Sequence, residues 1–363
     1  MRILWINHRD PIHPEAGGAE VHIAEIGKRL VERGHEITLL AERFEGSKPE
    51  EEVYGMRVKR FGGKFTLHIY APYFVRRKSK EFDVVIDDVA HAVPFWSPKF
   101  TRKPVVAIVH HVHQGVVEKE LPPILSHLVK KAERSIRGTY ENIIAVSQTT
   151  KKDLVELLGV EGSKIKVILH GVDHEKFRPA SSKFKEPTVL CMGRMKRYKN
   201  LDHVVEAFGI VKKNVSKAKL IIVGAGDEES KARLLVQKKG LSDNVTFVGR
   251  ISEEEKIALL QKAWCIVCAS EVEGWGMGIL EAAACGTTAV AYNSGALKES
   301  VINGETGLLA SYGDVKELAK KLIEVLEDEG FMRKLSENAL KYSFKFDWDK
   351  TVEQTEKYLG AFL

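Results

Sequence analysis

The chain has 363 residues, of which 44% are hydrophobic and 29% charged, with four cysteines and a formal net charge of +6. That length predicts two domains, each able to bury its own core, and the composition is that of an ordinary soluble globular protein rather than a disulfide-stapled one. No apolar run approaches the ~18 residues that span a bilayer, and MRILWINHRD turns polar after six residues, so no secretory leader is expected and a reducing cytoplasm is the default location.

In chain order, residues 2–7, RILWIN, suit a first strand. The polar loop HRDPIHPEAGGAE, carrying Gly17 and Gly18, leads into a helical pattern over residues 21–33, closed by Gly34, and residues 36–40 form a second strand. This βαβ start predicts a doubly wound parallel sheet. Strands over residues 58–61, 83–86, 104–109, 143–146 and 166–169 continue the series, with helices between them. Residues 57–137 hold 16 Lys and Arg against 7 Asp and Glu, mixed with aromatics such as Tyr70, Tyr73, Phe95 and Trp96. Such a segment suits an anionic membrane surface or an acidic acceptor, or is a solvated face over a normal core. Nucleic acid is disfavoured, because no nucleic-acid motif accompanies the charge.

The stretch PASSKFKEP at residues 179–187 reads as a linker. Beyond it the pattern restarts, with strands at 188–192, 220–223, 245–248 and 264–269 and helices at 201–212, 228–239, 253–262 and around Glu281. The tail from Asp314 is helical in pattern and broken near residues 344–348. The expected division is therefore 1–180, 181–345, and a C-terminal helix over 346–363 packing back on the first domain. Two similar α/β halves face each other across a cleft in this reading.

Ligands of open α/β sheets bind beyond the carboxyl ends of the strands. The loops there hold Gly17-Gly18, His110-His111-Val-His113, Gly193-Arg194-Met-Lys-Arg-Tyr-Lys199, Gly224-Ala-Gly226, Gly249-Arg250-Ile251 and Glu273-Gly-Trp-Gly-Met-Gly-Ile-Leu-Glu281. The last is a strand, a glycine loop and a short helix, the arrangement in which free backbone N–H groups and a helix dipole meet an anion. Gly276 and Gly278 would let a diphosphate approach the backbone. Glu273 can reach past the phosphates, and Glu281, one turn into the helix, can accept from a ribose diol. Arg194 and Lys199 supply two cations to neutralise a departing phosphate.

Together GGAE, RGHEITLL, ILHGVDHEKFRP, GRMKRYKN, VGAGDE and EGWGMGILEAAACGTTAVA, in this order and spacing, resemble the retaining glycosyltransferase family 4 (glycosyl transferases group 1), whose fold is the two-Rossmann-domain GT-B kind. The resemblance runs nearly end to end. It implies a metal-independent transfer of a sugar from a UDP- or GDP-sugar to an acceptor hydroxyl, with no cofactor required. It assigns Arg194 and Lys199 to the diphosphate, Glu281 to the ribose and Glu273 to the sugar hydroxyls. Gly278, Ile279 and Leu280 would offer backbone N–H groups, the backbone at Arg250 and Ile251 would meet the base, and Gly17 and Gly18 would line the cleft. His110 matches the position of a histidine near the transferred sugar, with His111 and His113 as competing candidates. The acceptor is unidentified; if the basic, aromatic segment is more than a solvated face, it suits a lipid-linked or otherwise membrane-located one.

Three look-alikes are set aside. VGAGDEE lacks the third glycine of a dinucleotide fingerprint. Cys265 and Cys268, three apart on a strand, read as core packing rather than a metal pair. Asp347-Trp-Asp349 reads as a cap or turn. A nucleotide-sugar epimerase of the same fold and a non-catalytic nucleotide-binding protein remain as alternatives, and a nicotinamide dehydrogenase is disfavoured by the missing glycine.

Overall fold

The computed structural model describes residues 1–363. The chain opens with β1 (Arg2–Ile6), α1 (Gly18–Glu32), β2 (Glu36–Ala41), β3 (Glu50–Val53), β4 (Met56–Arg60), α2 (Leu67–Lys78), β5 (Val84–Val89) and β6 (Val105–Val109). There follow α3 (Val117–Glu120), α4 (Pro123–Arg134), α5 (Ile136–Thr139), β7 (Asn142–Ala145), α6 (Gln148–Leu158) and β8 (Ile165–Val167). The second series is β9 (Thr188–Met192), α7 (Leu201–Asn214), β10 (Lys219–Val223), α8 (Glu229–Lys238), β11 (Val245–Gly249), α9 (Glu253–Lys262), β12 (Cys265–Cys268) and α10 (Met277–Ala284). It continues through β13 (Thr288–Tyr292), α11 (Leu297–Ser300), β14 (Gly307–Ala310), α12 (Val315–Glu327) and α13 (Glu329–Ser343), and the chain ends with α14 (Trp348–Gly360).

Two compact units result: Met1–Gly171 with Trp348–Leu363, and Val172–Asp347. The division falls ahead of the Pro/Ser/Lys-rich stretch chosen from composition. Residues after Gly171 are tied into the second unit, where the Phe184 N–H donates to the Lys262 carbonyl at 2.8 Å and Gln261 Nε2 to the Arg178 carbonyl at 2.7 Å. Loop polarity marks exposure, whereas these hydrogen bonds decide which core a segment follows. No helix is long and apolar enough to cross a membrane.

The first unit carries an eight-stranded sheet in the order β3-β4-β2-β1-β5-β6-β7-β8. Every pairing is parallel except β3 with β4. Strands β5 and β6 are buried along their whole length, as expected where helices cover both faces. β3 was not legible as a strand because its sequence is EEEV; it forms on an edge where Glu50 meets Arg57 and Lys59, each at 2.9 Å. α14 lies on α1, held by Arg29–Asp349 (2.9 Å), Arg33–Glu356 (2.7 Å) and His35–Glu356 (2.7 Å). Asp349 thus serves the first turn of α14 as an ion-pair partner.

The second unit carries six parallel strands ordered β11-β10-β9-β12-β13-β14, a doubly wound sheet whose order reverses between β9 and β12. β13 and β14 were not singled out from sequence, since TAVAY and GLLA are short apolar runs without alternation. The corresponding reversal in the first unit lies between β1 and β5, in the register Trp5↔Ile86.

Asp87 on β5 is fully buried, its carboxylate accepting from Ser97 Oγ (2.6 Å), Ser97 N–H (3.0 Å) and Tyr140 Oη (2.6 Å). Burial pushes its pKa up to about 6, against the opposing pull of those donors. A carboxyl whose folded-state pKa is raised adds stability that is present below its unfolded pKa and lost as pH rises through the folded value. Between about pH 4 and 6 this group therefore removes roughly 2 kcal/mol. Replacing it by Asn should abolish that slope: comparing melts at pH 4 and pH 6, Asp87→Asn should gain relative to the parent as pH rises, and parallel curves would refute the assignment.

Candidate functional site

In the second unit the loops after β9, β10, β12 and β13 are joined by backbone hydrogen bonds. Gly193 N–H donates to the Val223 carbonyl (3.1 Å), Met195 N–H to Ala225 (2.9 Å), Glu271 N–H to Tyr198 (2.8 Å) and Ala296 N–H to Glu273 (3.0 Å). Asn200 caps the start of α7 in the left-handed region (φ 49°) and its Nδ2 donates to the Ala269 carbonyl at 2.9 Å. Gly224 stands at φ +121°, where a Cβ would come 2.0 Å from the Gly193 carbonyl oxygen. The VGAGDE run thus lets two loops touch.

At the reversal point of the sheet, Lys199 from the β9 loop donates its ammonium to Glu273 Oε1 from the β12 loop. Ser270 Oγ donates to the same oxygen at 2.9 Å, and Cys268 Sγ lies 3.9 Å from it. Cys268 is therefore half-buried beside the pair, while Cys265 alone fills core. Both ionic side chains keep an open edge, 22% of Lys199 and 20% of Glu273. Burial works against the Lys199 charge, but the Glu273 carboxylate, with Tyr198 and Cys268 beside it, outweighs burial and holds the pKa above the usual lysine value. Two groups assigned separately, one to phosphate and one to sugar, are each other's partners here. Lys199 has three donors, so holding Glu273 leaves capacity for an anion. Arg194, on the same loop, is exposed and forms no ion pair.

Glu281 lies buried on α10, and its Oε1 accepts from Lys256 of α9 at 3.0 Å. Lys256 also meets Glu253 (3.1 Å), which meets Lys176 (2.8 Å), and the Lys256 ammonium stands 4.9 Å over the Phe177 ring. Burial raises the Glu281 pKa, and the Lys256 cation opposes that rise. No motif pointed to Lys256; the only trace in the sequence was its place on the helix that follows Arg250-Ile251. That pair connects the edge strand β11 to α9, which Ser252 and Glu255 cap reciprocally (2.8 and 3.2 Å).

The start of α10 revises two expectations. Ile279 and Leu280 both donate their N–H groups to the Gly276 carbonyl (2.9 and 3.2 Å), so neither is available to a ligand. The amides without an acceptor are those of Met277 and Gly278, because the first turn of a helix lacks internal partners. Gly276 is buried, takes φ +81°, and faces Ser300 and Leu297; its role is the backbone turn, and open space lies over Gly278 alone.

In the first unit the Gly17 N–H is already satisfied by Glu20 Oε2 at 2.7 Å, whereas Gly18, the first residue of α1, is exposed. The three histidines after β6 diverge. His110 is buried and its Nε2 is 2.8 Å from Asp88 Oδ1. His113 binds Glu133 of α4 through its backbone N–H (2.6 Å) and Nδ1 (3.1 Å), and the His111 ring lies 4.0 Å from the His113 ring.

Residues 173–342 match the family model described as Glycosyl transferases group 1, and residues 16–176 match Glycosyltransferase Family 4. N-acetyl-alpha-D-glucosaminyl L-malate synthase of Bacillus anthracis is 27% identical, the match covering 95% of this chain and 94% of that one. A GDP-mannose-dependent alpha-(1-6)-phosphatidylinositol monomannoside mannosyltransferase of Mycobacterium tuberculosis is also 27% identical, over 90% and 89%. Among solved structures, sucrose-phosphate synthase from Thermosynechococcus elongatus superposes with a TM-score of 0.84 at 23% identity, over 98% and 97%. HepE of Anabaena, in complex with UDP and glucose, does so at 0.81 and 18%, over 99% and 100%. The fold is GT-B.

The loop geometry makes a stability prediction. Gly224→Ala should cost more than about 2 kcal/mol, through strain at positive φ and the contact with Gly193. Gly278→Ala, with nothing within 4 Å of the added Cβ, should melt with the parent. Equal melting of the two variants would contradict the loop contact.

Proposed function

Because the chain belongs to glycosyltransferase family 4, within the group 1 glycosyl transferases, we propose that it moves a sugar from a nucleoside diphosphate to an acceptor hydroxyl with retention of anomeric configuration and without a metal ion. The observation that carries this reading is the Lys199–Glu273 pair at the reversal point of the second sheet, with the unpaired Arg194 on the same loop. A departing diphosphate builds negative charge. Arg194, the unused donors of Lys199 and the amides of Met277 and Gly278 take up that charge without reorganisation. Glu273 accepts from the sugar hydroxyls. Glu281 turns Oε2, which has no protein donor, to the ribose, while Lys256 holds its other oxygen. The backbone at Arg250 and Ile251 meets the base. UDP and GDP are the expected carriers, since one similar structure holds UDP and one relative is named for GDP-mannose.

A lipid-linked acceptor at an anionic membrane is supported by α4. This helix buries Ser126 and Glu133 yet exposes Ile124 (81%), Leu125 (41%) and Leu128 (57%), with Lys131 and Arg134 on its outer turns. An amphipathic face turned outward beside cations is the chemistry that binds lipid surfaces.

Lys199→Ala and Glu273→Ala should each lower sugar transfer by at least about 10²-fold in folded protein; parental rates in either would remove these roles. Full activity in EDTA is expected, and strict dependence on a divalent ion would overturn the metal-free mechanism. Donor incubated alone should yield no isomer, an outcome that separates transfer from epimerisation. Vesicles containing anionic lipid should retain the parent at low salt and release Ile124→Asp/Leu128→Asp; equal retention would dismiss the α4 contact.

A further inference from the structure

Three consecutive residues leaving β1 each bury a side-chain atom that has no hydrogen bond in the protein: Asn7 Oδ1, His8 Nδ1 and Arg9 Nε. Buried polar groups nearly always find a partner, so such a run calls for an explanation. His8 packs against His68, with 3.0 Å between their Nε2 atoms, whereas Arg9 reaches the exit of β2. There the Glu42 N–H donates to the His8 carbonyl at 2.8 Å, which fixes the two strand ends side by side. Both Nη atoms of Arg9 are taken by Glu15, one by its carbonyl (3.1 Å) and one by Oε2 (2.5 Å). Arg9 Nε stays 3.7 Å from Glu42 Oε1, and His13 Nε2 is 3.8 Å from the same oxygen; both are too long for a hydrogen bond. The Glu15 N–H donates to His13 Nδ1 at 3.0 Å, so the proton of the neutral ring sits on Nε2, towards Glu42. Burial and the Arg9 charge lower the His13 pKa, which keeps that ring neutral. Burial pushes the Glu42 pKa up; Arg9 and Lys64 oppose the rise, while the carboxylates of Glu15 and Glu20 add to it.

Two donors and a carboxylate thus stand around a gap, each short of a bond. Atoms 3.7–3.8 Å apart can both reach one oxygen lying about 2.8 Å from each. An anion there meets Glu42, and a cation meets Arg9. A hydroxyl suits both sides, because it donates to the carboxylate while accepting from the guanidinium or the imidazole. The second oxygen of Glu42 has no donor in the protein, and a carboxylate takes two adjacent donors well. Lys64, exposed on the turn between β4 and α2, faces Glu42 and His8 from the outer edge.

We propose that the first unit binds a sugar or other polyol at this place through a vicinal diol, one hydroxyl bridging Arg9 Nε and Glu42 Oε1 and its neighbour donating to Glu42 Oε2. Every binding group comes from the segments after β1, β2 and β4, so the site is complete within the first unit. On the reading that the chain is a sugar transferase, the occupant is the head group of the acceptor, which makes that acceptor a glycan or polyol. Binding itself does not rest on that reading.

NMR titration of the intact protein with the methyl α-D-pyranosides of glucose, mannose and galactose tests the site without donor or acceptor. At least one should bind, and 2-(hydroxymethyl)tetrahydropyran, a ring with no diol, should not. Glu42→Gln keeps the shape and removes the charge; it should weaken the bound hexoside about tenfold and leave UDP affinity as in the parent. Absence of hexoside binding, the result if water alone fills the gap, overturns the proposal, as does equal hexoside affinity in Glu42→Gln. Joint loss of hexoside and UDP would put the hexoside in the donor site and is equally contrary. Should Glu42→Gln fail to fold, the exposed Lys64→Ala replaces it, with a loss of about threefold expected and unchanged affinity overturning the site. Hexoside binding by a chain that does not bind UDP supports the site and removes only its place in the transfer.

Discussion

The ion pair between Lys199 and Glu273 is the contact on which the proposed chemistry of the second unit depends. It joins two strands, β9 and β12, that are neighbours in space but far apart in sequence, at the point where the sheet's order reverses. A crevice opens there because the chain leaves the two strands in opposite directions. The pair holds two opposite charges at the crevice before any ligand arrives. Removing either would leave a partly buried charge without compensation, which is costly in a low-dielectric setting. A diphosphate can restore balance on the cation's side, and sugar hydroxyls on the carboxylate's side. The contact is a structural clamp, and in the proposed reaction it also serves as a preformed pair of binding groups.

The surrounding loops show how much backbone is spent on keeping that pair in place. The Glu271–Tyr198 hydrogen bond and the Asn200 side chain fix the β9 and β12 turns relative to each other, and three more backbone hydrogen bonds tie them to the β10 and β13 loops. At the other end of α10, Glu281 receives the same treatment from Lys256, whose own charge is shared with Glu253 and spread over Phe177. Each acidic group at this helix is held by a lysine from a different element. One oxygen of each carboxylate is committed to the protein, and orientation follows from that commitment. The first unit applies the same device to His110, with a carboxylate rather than a cation behind it.

Much of this was legible in the sequence because motifs at the carboxyl ends of strands carry unusual residues. Gly193-Arg194 through Lys199 and Glu273 through Glu281 stood out on chemistry alone, and the doubly wound parallel class of the sheets followed from the alternation of strands and helices. Less legible were features set by partners distant in the chain. Lys256 lies in an ordinary charged helix, and nothing local reveals that it faces Glu281. Asp88 sits in a run, VVIDDV, that reads simply as the end of a strand. The amides of Ile279 and Leu280 were expected to be free, yet the Gly276 carbonyl captures both, a matter of a single turn's dihedral angles. β3 was hidden by its acidic composition, because strand propensity yields to cross-strand charge pairing on an edge.

The proposed chemistry depends first on Lys199 holding a diphosphate. Isothermal titration of UDP and GDP into the intact protein measures this without any knowledge of the acceptor. Lys199→Met should weaken binding of the preferred nucleotide at least tenfold, about 1.4 kcal/mol. Lys196→Met, which alters a lysine on the same loop paired with the exposed Asp227, should bind as the parent does. Equal affinities for the parent and Lys199→Met would contradict the central claim.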